Sequence, residues 1–502
     1  MTGKGNTGKV RKAFFCAFWL ILWQLAASCI DNIVLFAGPI EVCRALLAAV
    51  GEEGFWRTVA GSILRISGGF LSALVLGIVL GALAYWKEGI RELLAPPVSV
   101  LKAIPVASYA VLLLIWSGSR WLSVWISFLV VFPGIYESTK AGLMQIDPAL
   151  LEMAGLYRLP FPVRLFFLYR SAVLTSVGSY LRVAAGMSWK SGVAAEVIGV
   201  PDYSIGERLY LSKIQIDTAG ILAWTVVIIV LSFWMETLFT RLFLLYEKRK
   251  TPLTEKLWHY DRRKEKEPPA AVGICIRELS WSYAEKEVLK ALSLELEAGG
   301  VYCLMGPSGT GKTTLLRILA GFLEGPPECV RFVEAEEDSA GLGAPEKNGC
   351  LTEEGNTRPA DWRPRISMVF QENRLWEESD ALHNVAAASG TGLQQAARAL
   401  KELLLEETDW CGRIGTYSGG MKRRTAIARA MEAESSLVLM DEPFTGLDEE
   451  TKRKVISYIL ERRRGRTLLV ATHQEEDAAL LQARIIRLPA EALREETAPP
   501  SI

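Results

Sequence analysis

Apolar residues are unevenly spread along the chain. Residues 13–245 are rich in Leu, Val, Ile, Ala and Trp, whereas residues 246–502 hold most of the charge. Six apolar segments can be drawn in the first stretch, at about 13–30, 59–86, 98–116, 122–136, 172–198 and 219–245. Each is near the length a helix needs to cross a bilayer. Pro105 breaks the third, which Pro97 precedes, and the fourth is short and ends near Pro133, so these two are the weaker spans. The second stretch has a different pattern. Ile274–Leu279 alternates like a half-buried strand with Tyr283 on the turn after it, and 301–305, 368–371, 437–440 and 468–473 are short apolar strands. Leu393–Leu405 has helical spacing. These patterns predict an all-α polytopic membrane domain of about six spans (1–247), a charged linker (248–270), an α/β domain with a helical subdomain (271–488) and a frayed tail (489–502). The polar, Gly-rich stretch 334–361 predicts a surface loop.

Charge sets the orientation. Lys4, Lys9, Arg11 and Lys12 precede the first span, Lys87 and Arg91 follow the second, Lys140, Arg158, Arg164 and Arg170 follow the fourth, and Arg241 and Lys248 to Lys250 end the sixth. With six crossings these fall on one side, which places both termini and the α/β domain in the cytoplasm of a multi-pass plasma-membrane protein. The opposite loops hold fewer: Arg44, Arg57, Arg120, Arg208 and Lys213. Net charge is zero, from 56 Lys+Arg and 56 Asp+Glu, so nucleic acid is not an expected partner. Eight Cys without a Cys-x-x-Cys pair, and three His, point to buried reduced thiols and not to a zinc site. Lys190 and Glu196 lie in or near the fifth span, where a charge needs a reason. Six residues apart, they sit about 240° apart on a helix and do not pair with each other. They face a polar pathway or a neighbouring span, or reach the interface if the span is tilted.

One cytoplasmic loop predicts a short helix: Asp147 as N-cap, Pro148 at its first position, Glu152-Met153-Ala154 within it, and Pro160 and Pro162 as stops. Such a helix between two spans can carry motion from a soluble domain into the membrane.

The chemistry lies in the second stretch. Gly306-Pro307-Ser308-Gly309-Thr310-Gly311-Lys312-Thr313-Thr314 follows an apolar strand and opens a helix, the context of a phosphate-binding loop. Glycines let backbone N–H groups turn onto phosphates, and the helix N-terminus adds its positive end. Lys312 reaches the terminal phosphates, and Thr313 offers a hydroxyl to Mg²⁺. Gln371, after a strand, can bind Mg²⁺ or orient water. Asp441 ends the strand 437–440 and can hold Mg²⁺; Glu442 beside it is the candidate base that polarises the attacking water. His473 ends a later strand and is expected at the γ-phosphate, and Asp448 is a candidate contact across a dimer. Tyr417-Ser418-Gly419-Gly420-Met421 lies just upstream of Asp441. This run together with a phosphate loop predicts ATP bound between two copies of the domain.

With these motifs in this order, residues 271–488 resemble the ATPase domain of ATP-binding-cassette (ABC) transporters. The resemblance implies that Tyr283 stacks on adenine, that 306–314 is the Walker A loop, that Gln371 heads the Q-loop, and that Asp441 and Glu442 are the Walker B pair. It also implies that Ser418-Gly419-Gly420 cap the γ-phosphate bound by the other subunit, and that His473 is the switch histidine. Tyr417 and Met421 depart from the common Leu-Ser-Gly-Gly-Gln. Residues of about 55–245 resemble the permease of binding-protein-dependent importers of the nitrate, sulfonate and taurine branch, through Glu152-Met153-Ala154, 186–190 and 194–199. Arg158 and Ser171 stand where that family has Gly and Pro. The resemblance implies a fused permease and ATPase that uses ATP and Mg²⁺. It would work as a homodimer, or with a homologous half, and take a small-molecule solute from an extracellular solute-binding protein. A half-size exporter is a second reading, although exporter spans need more chain before the ATPase than is present here. A mechanical or signalling ATPase that moves no solute is a third.

Overall fold

Long apolar runs become long helices in the computed structural model, which describes residues 4–30, 32, 34–248, 270–283, 286–326, 328–334, 363–390 and 392–488. The linker 248–270, the loop 334–361 and the tail 489–502 lie, apart from their end residues, outside the described residues. The chain divides into two compact units: 1–145 with 172–250, and 146–171 with 251–502.

The first unit is helical: α1 (Lys4–Ile30), α2 (Pro39–Gly51), α3 (Phe55–Trp86), α4 (Glu88–Ala103), α5 (Val106–Met144), α8 (Arg170–Gly199), α9 (Ile205–Ile214) and α10 (Thr218–Lys248). Five of the six apolar segments fall within these helices, and the third, 98–116, crosses the break between α4 and α5. Among the described residues three stretches are long and apolar enough to cross a membrane: 55–86, 106–144 and 218–246. The apolar part of α1, Ala17–Ile30, is shorter. The two weak segments were drawn where the helix is broken. Pro105 precedes α5, and Gly118 inside it has φ 72 and ψ 173, so that α5 is two helical stretches joined at this glycine. An L-residue rarely adopts that conformation.

Glu196 faces the neighbouring α3 and Lys190 is exposed. The fully buried Glu196 carboxylate accepts from the Ser62 hydroxyl at 2.6 Å and from Arg65 Nε at 3.1 Å. Ser62 Oγ in turn accepts from the Ile205 N–H at 2.9 Å, and Arg65 donates to the Tyr203 carbonyl at 3.0 Å. Gly206 fits only because it lacks a Cβ, which would lie 2.4 Å from Glu196 Cβ. One carboxylate thus ties α3, α8 and the start of α9. Arg65 was not visible as its partner in the sequence, since the two stand 131 residues apart.

The second unit carries two sheets among the described residues. β2 (Lys286–Leu296), β1 (Val272–Tyr283) and β4 (Val330–Glu334) form an antiparallel sheet in that order. β5 (Ile366–Val369), β6 (Leu437–Asp441), β7 (Thr467–Ala471), β3 (Val301–Met305) and β8 (Arg484–Arg487) form a parallel one. The strands β5, β6 and β7 are buried throughout, as expected of a parallel sheet covered on both faces. Tyr283, expected on a turn, is the last residue of β1. The phosphate-loop helix is α11 (Lys312–Leu319). A helical lobe holds α12 (Ala381–Ser389), α13 (Leu393–Glu402) and α14 (Gly419–Glu432); α15 (Glu449–Arg462) and α16 (Glu475–Leu480) complete the unit.

Residues 146–171, assigned by sequence to the membrane domain, pack in this second unit. α6 (Pro148–Leu156) starts as expected, with the Asp147 carboxylate accepting from the Ala149 N–H at 2.8 Å. It ends before the prolines. Leu159 N–H returns to the Ala154 carbonyl at 3.0 Å, and Arg158 takes φ +48. That is the left-handed closure at which helices favour glycine, so Arg158 preserves the turn at a cost of about 1 kcal/mol. A short α7 (Phe161–Arg164) follows. Of the five free cysteines among the described residues, only Cys303 is buried; Cys29, Cys43 and Cys411 are exposed, and Cys275 is disulfide-bonded. The expectation of buried, reduced thiols is corrected accordingly.

Glu196→Leu is expected to destabilise the purified protein by about 3 kcal/mol, because it strands Arg65, and Arg65→Met combined with it is expected to cost less than the two single changes summed. Thermal unfolding in detergent, run as a double-mutant cycle, measures the coupling.

Candidate functional site

The phosphate loop joins β3 to α11 with three glycines at positive φ: Gly306 (154°), Gly309 (87°) and Gly311 (91°). A Cβ on Gly306 would meet the Leu488 carbonyl oxygen at 2.5 Å, and one on Gly311 would meet Leu289 at 2.6 Å. No other residue type gives this loop its shape. Pro307, Ser308 and Thr310 complete its turn, where the Thr310 hydroxyl donates to the Pro307 carbonyl at 2.9 Å. Lys312, 8% exposed, lays its ammonium back over the loop onto the carbonyls of Gly306 and Pro307, at 2.6 and 2.9 Å. Thr314 is buried in the first turn of α11.

Asp441 ends β6 at 2% exposure. Burial holds its carboxyl above the usual carboxylate range, against a hydrogen bond from Thr313 and the charges of Lys312 and Arg423. Glu442, the next residue, leaves the strand at φ +47 and donates its N–H to the Ala471 carbonyl at 2.9 Å. That kink turns it out of the sheet, and one carboxylate oxygen lies 3.8 Å from Nδ1 of the exposed His473. A buried network fixes the turn carrying His473. Thr472 donates to Asp477 at 2.7 Å, while Lys452 contacts Asp477 at 3.3 Å and Gln474 at 2.9 Å. The structure therefore gathers Lys312, Thr313, Asp441, Glu442 and His473 in one place. Thr313 and Asp441 are paired oxygen donors of the kind Mg²⁺ takes, whereas Gln371 is exposed and its main-chain carbonyl accepts from Arg423. No cluster of three or more His, Cys, Asp or Glu able to hold a metal occurs among the described residues. A cation here would need phosphate oxygens to complete its shell, as Mg²⁺ does with nucleotides.

A second group forms at the N-terminus of α14. Ser418 is its N-cap, accepting from the Met421 N–H at 3.3 Å, and Gly419 and Gly420 open the helix. Gly420 approaches the Gly446–Leu447 turn, and Asp448 beyond that turn caps α15 by accepting from the Thr451 N–H at 3.0 Å. That bond holds the exposed Asp448 carboxyl below its ordinary value. Among the described residues no hydrogen bond or ion pair joins Ser418, Gly419, Gly420 or Asp448 to Lys312 or Glu442. Tyr283 also stands apart, half exposed at the end of β1 with its ring edge-on to Trp281 at 6.3 Å.

A profile of the family described as "ABC transporter" matches residues 289–445. The histidine/lysine/arginine/ornithine transport ATP-binding protein HisP of Escherichia coli is 35% identical over 227 residues, 43% of this chain and 86% of that protein. This chain belongs to the ABC transporter family. The aliphatic sulfonates import ATP-binding protein SsuB 3 of Paraburkholderia xenovorans is 35% identical over 43% of this chain and 77% of its own length. A solved dimer of the ATP-binding cassette MJ0796, bound to ADP and Pi, aligns at 26% identity and TM-score 0.36 over 45% of this chain and 100% of its own. More than half of the chain lies outside each of these alignments.

Within the ABC transporter domain the departures from the common signature have local reasons. Tyr417 is buried in the helical lobe, where its hydroxyl donates to the Asp409 carbonyl at 2.5 Å and burial pushes its pKa up to about 12. Met421 packs on the same core. Sequence reading missed four cations here. Arg423 donates to the carbonyls of Phe370 and Gln371, both at 2.7 Å, and Arg429 to those of Arg374 and Asn373 at 2.6 and 3.0 Å. Arg374 and Arg317 donate to Glu152 of α6 at 2.8 and 3.2 Å. The Tyr157 hydroxyl, at the end of α6, donates to the Met368 carbonyl at 3.0 Å. Each arginine reads in sequence as one more charge on a helix face or loop, and only tertiary contact reveals its partners.

Tyr417→Phe is expected to lower the stability of this domain by about 1 kcal/mol through loss of the Asp409 bond, with nucleotide affinity unchanged. Chemical unfolding followed by tryptophan fluorescence, with ATP titration alongside, checks both.

Proposed function

We propose that the chain is half of an ATP-driven importer, a permease and an ABC ATPase fused in one polypeptide. The observation that carries this reading is the position of residues 146–171. Their flanks continue into the helical unit on both sides, while Met153, Ala154, Tyr157, Leu159, Val163 and Leu168 are buried in the core of the ATPase unit. A segment held in one unit and covalently continuous with the other at both ends is built to transmit force. The split between the Lys312 group and the Ser418 group supports nucleotide shared between two copies, each supplying one half of a site. Relatives named as import or transport ATP-binding proteins support import over export.

In this reading six spans cross the plasma membrane with both termini and the ATPase in the cytoplasm. The partner half is a second copy or a homologue. An extracellular solute-binding protein delivers a small solute of the nitrate, sulfonate or taurine kind. ATP binds with its phosphates in the 306–314 loop, its adenine against Tyr283 and its γ-phosphate near Gln371 and His473. Ser418, Gly419, Gly420 and Asp448 of the other copy close over it. Thr313, Gln371 and Asp441 would hold Mg²⁺, which would supply positive charge against the phosphates. Glu442, turned out of the sheet beside His473, takes the proton of the attacking water. Closure pulls on α6 and the spans change access.

Glu442→Gln is expected to reduce steady-state ATPase by at least about 100-fold and to leave an ATP-bound dimer stable to gel filtration; normal turnover in that variant would remove Glu442 as base. Glu152→Ala is expected to reduce solute uptake into proteoliposomes by about tenfold or more while basal ATPase persists. Full uptake in the Glu152 variant would remove Glu152 from the transmission path, and absence of uptake in the parent, with ATPase unstimulated by the loaded binding protein, would sink the importer reading.

A further inference from the structure

Residues 370–374 follow β5 without regular structure. Backbone carbonyls in such a segment need partners from elsewhere when they are buried. Here two arginines of α14 supply them. Arg423, 7% exposed, spans the carbonyls of Phe370 and Gln371; Arg429, 1% exposed, spans those of Asn373 and Arg374. Neither arginine has a carboxylate within 4.0 Å among the described residues. A buried guanidinium without a carboxylate partner is costly unless its hydrogen bonds are well formed. The cost marks a junction whose geometry matters more than its stability. Arg423 also sits in the field of Asp441 and Glu442.

The junction has a direction. Arg423 lies five residues beyond the N-cap Ser418, about 7.5 Å along one rigid helix. Anything that seats against Ser418-Gly419-Gly420 moves α14 as a body, and Arg423 carries that movement to the main chain of Gln371. We infer that Arg423 is a positioning residue that couples the two nucleotide sites, relaying engagement of Ser418 by the other copy's ATP to the Gln371 that serves its own copy's ATP. The inference rests on the shared-site reading above. It adds the physical link by which closing one site adjusts the other. Arg429 anchors the far end of the same segment. It lies 5.4 Å from the centre of the Tyr157 ring and shares a hydrogen bond with that residue, so the relay branches toward α6.

The test uses the full-length protein in the Glu442→Gln background, with ATP and Mg²⁺, and reads amide hydrogen exchange of the peptide spanning 370–374. The parent is expected to show slowed exchange on adding ATP, and Ser418→Arg, which blocks seating, is expected to abolish the slowing. Arg423→Met is expected to abolish it as well, while light scattering still reports the closed ATP-bound dimer. Arg423→Lys, which keeps the charge and can reach one carbonyl, is expected to restore part of it, and it serves alone if the Met variant fails to fold. With Glu442 restored, Arg423→Met is expected to lower the Hill coefficient for ATP toward one. Full slowing in both Arg423 variants overturns the relay and leaves the shared site standing. No slowing and no dimer in the parent overturns the shared site and the relay with it.

Discussion

Irregular backbone keeps a fixed shape only if something other than a helix or sheet takes up its carbonyls, and in this protein that constraint falls on residues 370–374, which run from the buried Phe370 through the exposed Gln371 and Glu372 to the half-buried Asn373 and Arg374. Two guanidinium groups from one helix meet it. Everything proposed for the ATPase half passes through that segment. Gln371 near its start is held by Arg423, which lies in the field of Asp441 and Glu442, and Arg374 at its end holds Glu152 of α6. Hydrogen bonds to charged donors are each worth roughly 1.5–3 kcal/mol. Four of them on one short segment make it stiff, and a stiff segment passes on displacement that a loop with solvated carbonyls would absorb.

The phosphate loop, Asp441, Glu442, Ser418 and the N-cap of α6 were legible because their chemistry is local. Glycine at positive φ, a hydroxyl at a helix N-terminus and an acid at a strand end are set by neighbours within a few residues. The six apolar segments were legible as helices for the same reason, though only three stretches meet the length and hydropathy of a span. α8 shows why: Arg182, Lys190 and Glu196 dilute its apolar character, and at least one of them has a partner that only the folded chain supplies. The pairings that matter most were not legible. Glu196 with Arg65, Glu152 with Arg374, and Arg423 with Gln371 join residues 131, 222 and 52 positions apart. Nothing in a single sequence marks such pairs. Arg158 is an intermediate case. The sequence showed that a glycine was missing at that position; the structure shows that the left-handed turn survives without it.

Residues 146–171, assigned by sequence to the membrane domain, pack in the second unit. In sequence the first part of this segment reads as a short capped helix in a cytoplasmic loop, and its apolar residues have no evident partner. In the fold they join the core of the ATPase unit, and Phe167 stacks on Trp376 at 4.7 Å. Burial of these side chains contributes most of the attachment, at about 1.5–3 kcal/mol for each large one. The ion pairs of Glu152 are about one-third exposed on the Glu152 and Arg317 side, and pairs of that kind add about 1 kcal/mol or less. Apolar contact holds the segment, and the charges fix its register.

In the proposed reading, fusion of permease and ATPase changes what this attachment must do. In a complex of separate chains the docking helix must find its groove from solution, and its affinity sets assembly. On one chain the docking is intramolecular, with an effective concentration that reaches about the millimolar range for short flexible connections. A modest interface then suffices for occupancy, and selection on it can favour transmission of movement over strength. That distribution of roles matches what is seen: an apolar patch, ion pairs about one-third exposed at Glu152, and the costly buried cations placed one step further in, where α14 meets residues 370–374. The expensive chemistry sits at the junction that must keep its geometry while the parts around it move.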